Sequence, residues 1–79
     1  MPDWYIGAVQ TLIEVYKMDP ALFEAIQLAI QRIRLNPLLG DHVMETYRVY
    51  IDEQLRFRIG YNYHPQAREL EIVVIHRLS

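Results

Sequence analysis

Hydrophobic positions in the first half of the chain recur every three or four residues. Tyr5, Ala8, Val9, Leu12, Ile13 and Tyr16 form one such stripe, the signature of an amphipathic helix. Residues 1–18 therefore read as helix, with Asp3 placed to cap its start. Asp19-Pro20 restarts the chain: aspartate suits an N-cap, and proline suits the first helical position because the N–H it lacks would have no partner there. Phe23, Ile26, Ala29, Ile30 and Ile33 make a second stripe, and Asn36-Pro37 ends it, since a residue preceding proline is pushed out of helical geometry. This second helix, about 20–35, would be on the order of 24 Å long. So short a join predicts a helical hairpin over about 4–36.

In the second half the period changes to two. Three strands are expected, Met44–Ile51, Leu55–Tyr63 and Leu70–Leu78. They are separated by a short polar loop, Asp52-Glu53-Gln54, and a longer one, His64–Arg68, so each strand should pair antiparallel with the next. Leu38-Leu39-Gly40-Asp41 is a turn into the sheet. Leu70-Glu71-Ile72-Val73-Val74-Ile75 is too continuously apolar for a simple edge strand. The expected fold is α+β: a single domain over residues 1–79, with an N-terminal helical hairpin packed on a three-stranded antiparallel sheet of order 1-2-3, the sheet over about 43–78. Phe23, Ile26, Ile30, Ile33, Phe57, Ile59, Ile72 and Val74 are the expected core.

Alternation in Leu55-Arg56-Phe57-Arg58-Ile59 turns Leu55, Phe57, Ile59, Tyr61 and Tyr63 to one face and Arg56 and Arg58 to the other. Arg48 and the His76-Arg77 pair could converge on that cationic face, which would suit an anion such as RNA phosphate. His76 and Arg77 are adjacent on a regular strand, so only one of them can join it unless a bulge intervenes. The competing structural reading makes Arg56 and Arg58 solvated residues paired with Glu45, Glu69 or Glu71. It makes His76 a cap on the core beside Leu78, and Tyr47, Tyr50, Tyr61 and Tyr63 ordinary packing for a half-buried sheet.

Composition narrows the classes. With 79 residues, 52% of them hydrophobic, and no cysteine, the chain has enough apolar surface to fold and no thiolate for a disulfide or metal site. A metal site from His42, His64 and His76 would draw on three separate segments without paired spacing, and His42 and His64 fall in expected turns. No metal or cofactor is expected. The formal charge of −2 argues against bulk electrostatic binding of nucleic acid. No apolar run approaches a membrane span, and the first residues lack the basic start of a secretory signal. A cytoplasmic protein is the expectation.

Two helices, Pro37-Leu38-Leu39-Gly40, Tyr47-Arg48-Val49, Leu55-Arg56-Phe57-Arg58-Ile59-Gly60-Tyr61 and Ile72-Val73-Val74-Ile75-His76-Arg77 together resemble the RelE/ParE superfamily of bacterial toxins over about residues 20–77. The motifs are short: a glycine-containing turn, an arginine-bearing strand, an Arg-x-x-Tyr-like central strand and a His-Arg ending. Three features depart from the family pattern. Residues 1–18 read as helix where the family opens with a strand, no tyrosine follows the final strand, and the chain is not basic.

The resemblance implies a toxin-like component of a type II toxin–antitoxin pair, with ribosome-dependent mRNA cleavage as its activity. In such an endoribonuclease a 2′-hydroxyl attacks the adjacent phosphate, which needs a base, an acid and cations for the developing charge. Arg56 or Arg58 would clamp the phosphate and Arg77 would contact it. His76 would exchange the proton, histidine being the side chain suited to this near neutral pH. Arg48, Tyr47 and Tyr61 would bind substrate, the tyrosines by stacking a base. The implied partners are an antitoxin, through an acidic amphipathic helix or strand, and the ribosome with its mRNA; a homodimer is a further expectation for so small a core. Two other classes stay open: a non-catalytic protein of the same fold that acts by binding gyrase or an antitoxin, and an unrelated α+β interaction domain.

Overall fold

The computed structural model describes residues 3–78. The chain runs β1 (Asp3–Trp4), α1 (Ile6–Met18), α2 (Pro20–Leu35), β2 (Asp41–Met44), β3 (Tyr47–Asp52), β4 (Phe57–His64) and β5 (Glu69–Arg77). The strands form one sheet in the order β1-β5-β4-β3-β2. Strands β2 to β5 are an antiparallel meander, and β1 adds to β5 in parallel. The expected three-stranded order survives as β3-β4-β5, but the sheet is larger than expected at both edges.

Each extra strand has a local cause. The expected strand Met44–Ile51 is broken by a tight turn at Glu45-Thr46, where Glu45 takes a φ of 48°; residues 41–44 fold back on β3 with Val43 as an unpaired bulge between His42 and Met44. At the other edge, Asp3 and Trp4 pair with Glu71 and Ile72, and the Tyr5 N–H donates to the Ile72 carbonyl at 3.0 Å. Helix α1 thus begins after Tyr5, which supplies no side-chain cap, and Asp3 lies in a strand rather than at the helix start. The helical expectation for residues 1 and 2 lies outside the described residues.

Helix α2 follows the sequence expectation at both ends. The Asp19 carboxylate accepts from the Leu22 N–H at 3.1 Å, Pro20 opens the helix, and Asn36 closes it. Its inward face is Leu22, Ile26, Ala29, Ile30 and Ile33, with Phe23 half-buried and in edge-to-face contact with Tyr16 at 5.0 Å across the hairpin. Helix α1 turns Ala8, Leu12 and Val15 inward and leaves Tyr5, Ile13 and Tyr16 exposed, so its buried stripe is rotated from the expected one.

Phe57, Ile59 and Tyr61 alternate toward the helices from β4 and are fully buried. Leu55 lies in the preceding turn and is exposed. Strand β5 carries a bulge. Gly60 pairs with Val74 and Tyr61 with Ile72, which leaves Val73 as an extra residue. Ile72 and Ile75, three residues apart, therefore both face the helices, and Val74 moves to the other face. The bulge accounts for the unbroken apolar run, and it replaces Val74 by Ile75 in the expected core.

Candidate functional site

The helices cover one face of the sheet and the other is open. Residues whose partners are registered opposite one another share a face, so Tyr47, Val49 and Ile51 on β3, Arg58, Gly60 and Asn62 on β4, and Val74 and His76 on β5 lie on the open side. Arg58 is registered against Ile51 on one side and His76 on the other, and all three are exposed. Arg58 has no carboxylate partner among the described residues. A guanidinium and an imidazole on directly opposed positions, with Cβ atoms about 4.5–5.5 Å apart in such pairs, can both reach one phosphate-sized anion.

Tyr47 lies on the same face at the far end of β3, opposite Asn62. Its phenol end rests on Gly60: a Cβ at that residue would collide with the Tyr47 hydroxyl and stand 2.8 Å from Val74 Cγ1. Glycine is required there because a tyrosine occupies the space a side chain would fill. A glycine inside an otherwise regular strand is the sequence signal for such a close approach.

The other expected site residues lie elsewhere. Arg48 is registered against Tyr61 rather than on the open face, and its guanidinium donates to the Gly40 carbonyl at 2.7 Å and, at 3.5 Å, to that of Leu38. Tyr61 is fully buried; its hydroxyl donates to the Pro37 carbonyl at 2.6 Å and accepts from the Gly40 N–H at 2.9 Å. Burial pushes the Tyr61 phenol above its ordinary pKa, opposed by the Gly40 hydrogen bond and nearby Arg48. Neither residue is available to stack a base; together they hold the 36–40 turn onto the sheet.

Arg56 precedes β4 in a turn, with a φ of 59°, and its Nε donates to the Leu78 carbonyl at 3.1 Å. It does not project with Arg58 from a strand. Arg77 is registered against Phe57 and so lies on the helix side, across the sheet from His76. Arg56 and Arg77 share a groove of about 670 Å³ with Asp19, Leu22, Leu55 and Leu78. The expected cationic cluster is thereby divided: Arg58 and His76 on the open face, Arg56 and Arg77 at the base of α2, and Arg48 under the turn.

The other histidines are in strands, not turns. His64 Nε2 lies 2.7 Å from Glu71 on the open face, and His42 Nε2 lies 2.9 Å from the Glu45 carbonyl. Among the described residues no group of histidines and carboxylates could hold a metal ion, and no helix is long and apolar enough to cross a membrane.

With this geometry in view, the chain can be set beside known proteins. No protein-family model matches it, and no curated protein matches it in sequence. Its fold is that of a RelE toxin. The crystal structure of the isolated E. coli RelE toxin superposes with a TM-score of 0.80 over 100% of this chain and 84% of that one, at 10% sequence identity. The two helices and antiparallel sheet are shared. The strand that opens this chain also removes one of the three departures noted from the family pattern.

Proposed function

We propose that this chain is the toxin-like member of a bacterial type II toxin–antitoxin pair and that it cleaves mRNA on the ribosome from the open face of its sheet. The observation that carries the reading is the registered Arg58–His76 pair, exposed on the uncovered face of a RelE-like sheet. Arg58 binds the scissile phosphate and neutralises charge as it develops, through two parallel N–H donors. His76 exchanges the proton of the attacking or leaving oxygen. Arg56, Arg77, Arg48 and Tyr61 are not assigned to the reacting phosphate on this reading. The antitoxin's place is suggested by α1, where Ile6, Ile13 and Tyr16 are exposed at spacings that an amphipathic helix can match.

A second reading, binding of a protein target without cleavage, is favoured by the same dispersal of arginines. Among the described residues one guanidinium lies on the open face, and with a net charge of −2 it forms a sparse site for a polyanion. Induced expression separates the two. The nuclease reading expects growth arrest with loss of cellular mRNA, and cleavage of ribosome-bound mRNA by the purified protein. Arg58→Ala should lower that rate by about 10²–10³, the usual effect of removing one transition-state donor, and His76→Ala should lower it by about 10²–10⁴, the range for a lost general acid or base. Intact mRNA with growth arrest would leave the binding reading alone.

A further inference from the structure

The two tyrosines expected to bind substrate differ in what their hydroxyls already do. Tyr61 spends its hydroxyl on Pro37 and Gly40 inside the protein. The hydroxyl of Tyr47 has no protein hydrogen-bond partner among the described residues, and it is set against Gly60 on the open face. Gly60 is two residues from Arg58 on the same strand and is registered against Val74, itself two residues from His76. Two-residue steps on one face span about 6.8 Å, and diagonal cross-strand neighbours lie about 7–8 Å apart. The phenol oxygen, the guanidinium and the imidazole thus surround one patch of the sheet, wide enough for a single phosphodiester and its sugar.

We propose that Tyr47 is a specific phosphate ligand, its hydroxyl donating a hydrogen bond to a non-bridging oxygen of the single-stranded RNA phosphodiester held by Arg58, and that Gly60 is the seat that places it there. The inference rests on the reading of the open face as an RNA site. A seat formed by a missing side chain fixes the donor before the ligand arrives, so little freedom is lost on binding. The apolar floor of Val49, Val74 and the Tyr47 ring, all half-buried, thins the water around the donor and strengthens its bond to an anion.

The test is binding of a fluorescein-labelled single-stranded RNA oligonucleotide by anisotropy, at low and fixed salt, to the purified chain and its variants. Tyr47→Phe keeps the ring and removes the donor; it should weaken binding about 10–100-fold, the size of one hydrogen bond to a charged acceptor. Gly60→Ala keeps every hydrogen-bonding group but displaces the phenol, and should weaken binding as much while urea melts show a folded protein. Should Gly60→Ala unfold through its approach to Val74, Tyr47→Phe decides by itself. Tyr47→Phe binding like the parent while Arg58→Ala loses affinity overturns this inference and leaves the RNA site standing. Loss in Gly60→Ala without loss in Tyr47→Phe also overturns it, in favour of stacking by the ring. A parent that does not bind, or Arg58→Ala binding as well as the parent, overturns the RNA site and this inference with it.

Discussion

Tyr61→Phe removes a single oxygen and tests whether the 36–40 turn is latched to the sheet. That hydroxyl is the acceptor for the buried Gly40 N–H and the donor to the Pro37 carbonyl, at 2.9 and 2.6 Å. Phenylalanine fills almost the same volume, so packing changes little and the effect is polar. The Pro37 carbonyl is at a half-buried residue and can be hydrated again at small cost. The Gly40 N–H is buried and loses its acceptor, which costs about 1–3 kcal/mol in addition to roughly 1 kcal/mol for the lost bonds. A loss of about 2–4 kcal/mol is therefore expected. Against the roughly 4–12 kcal/mol total for a chain of this size, that is a large fraction. In a domain this small each kcal/mol lowers Tm by about 4–8 °C, so the drop should be roughly 10–30 °C. Urea and thermal melts followed by circular dichroism give the stability, and amide exchange at Gly40 reports the latch directly. A loss under about 0.5 kcal/mol with Gly40 exchange unchanged would refute the reasoning, because it would mean that the turn is held by something other than this hydroxyl.

The same residue gives a pH dependence. Its phenol pKa is raised by burial, so its share of stability is full below the ordinary value of about 10 and is lost as pH rises through the raised one; Tyr61→Phe should flatten that alkaline limb in melts taken from about pH 9 upward. Phe57→Ala should cost about 3–5 kcal/mol, since Phe57 is fully buried between sheet and helices, and a variant melting within a few degrees of the parent would reverse the assignment of faces. The bulge at Val73 predicts that Ile75→Ala costs about 2–5 kcal/mol and Val74→Ala much less, a difference that urea midpoints resolve. Asp19→Ala should remove about 1 kcal/mol, read as a lower Tm with α2 intact. Arg68 sits at a φ of 54°, where glycine carries no Cβ penalty, so Arg68→Gly should hold or raise stability by up to about 1 kcal/mol; a clear loss would show that the Arg68 side chain has a role in the turn.

Local chemistry was enough to read α2 from the sequence. Its cap, its proline, its apolar period and its stop all lie within the segment itself, and each acts at short range. The alternation of β4 was legible for the same reason: Phe57, Ile59 and Tyr61 face the helices because a strand can turn only every second side chain one way. What failed were features whose cause lies in a different part of the chain. The turn between β2 and β3 was not legible because Glu45 takes left-handed geometry there with no glycine to mark it. The opening strand was missed because two residues are too few to show a period, and β5 is what makes them a strand. Neither the Val73 bulge nor the burial of Val74's neighbour Ile75 could be read, since an unbroken apolar run fits more than one register.

The site divides along the same line. That Arg58 and one of His76 or Arg77 should share a face followed from strand parity in the sequence. Which of the two it is depends on the register between β4 and β5, a tertiary quantity, and the register selects His76. The placement of Arg48 under the 36–40 turn, of Arg56 against Leu78, and of Tyr47 on Gly60 depended on contacts across 8, 22 and 13 residues of chain. Side-chain periodicity carries no information over such distances; only the folded sheet brings those partners together.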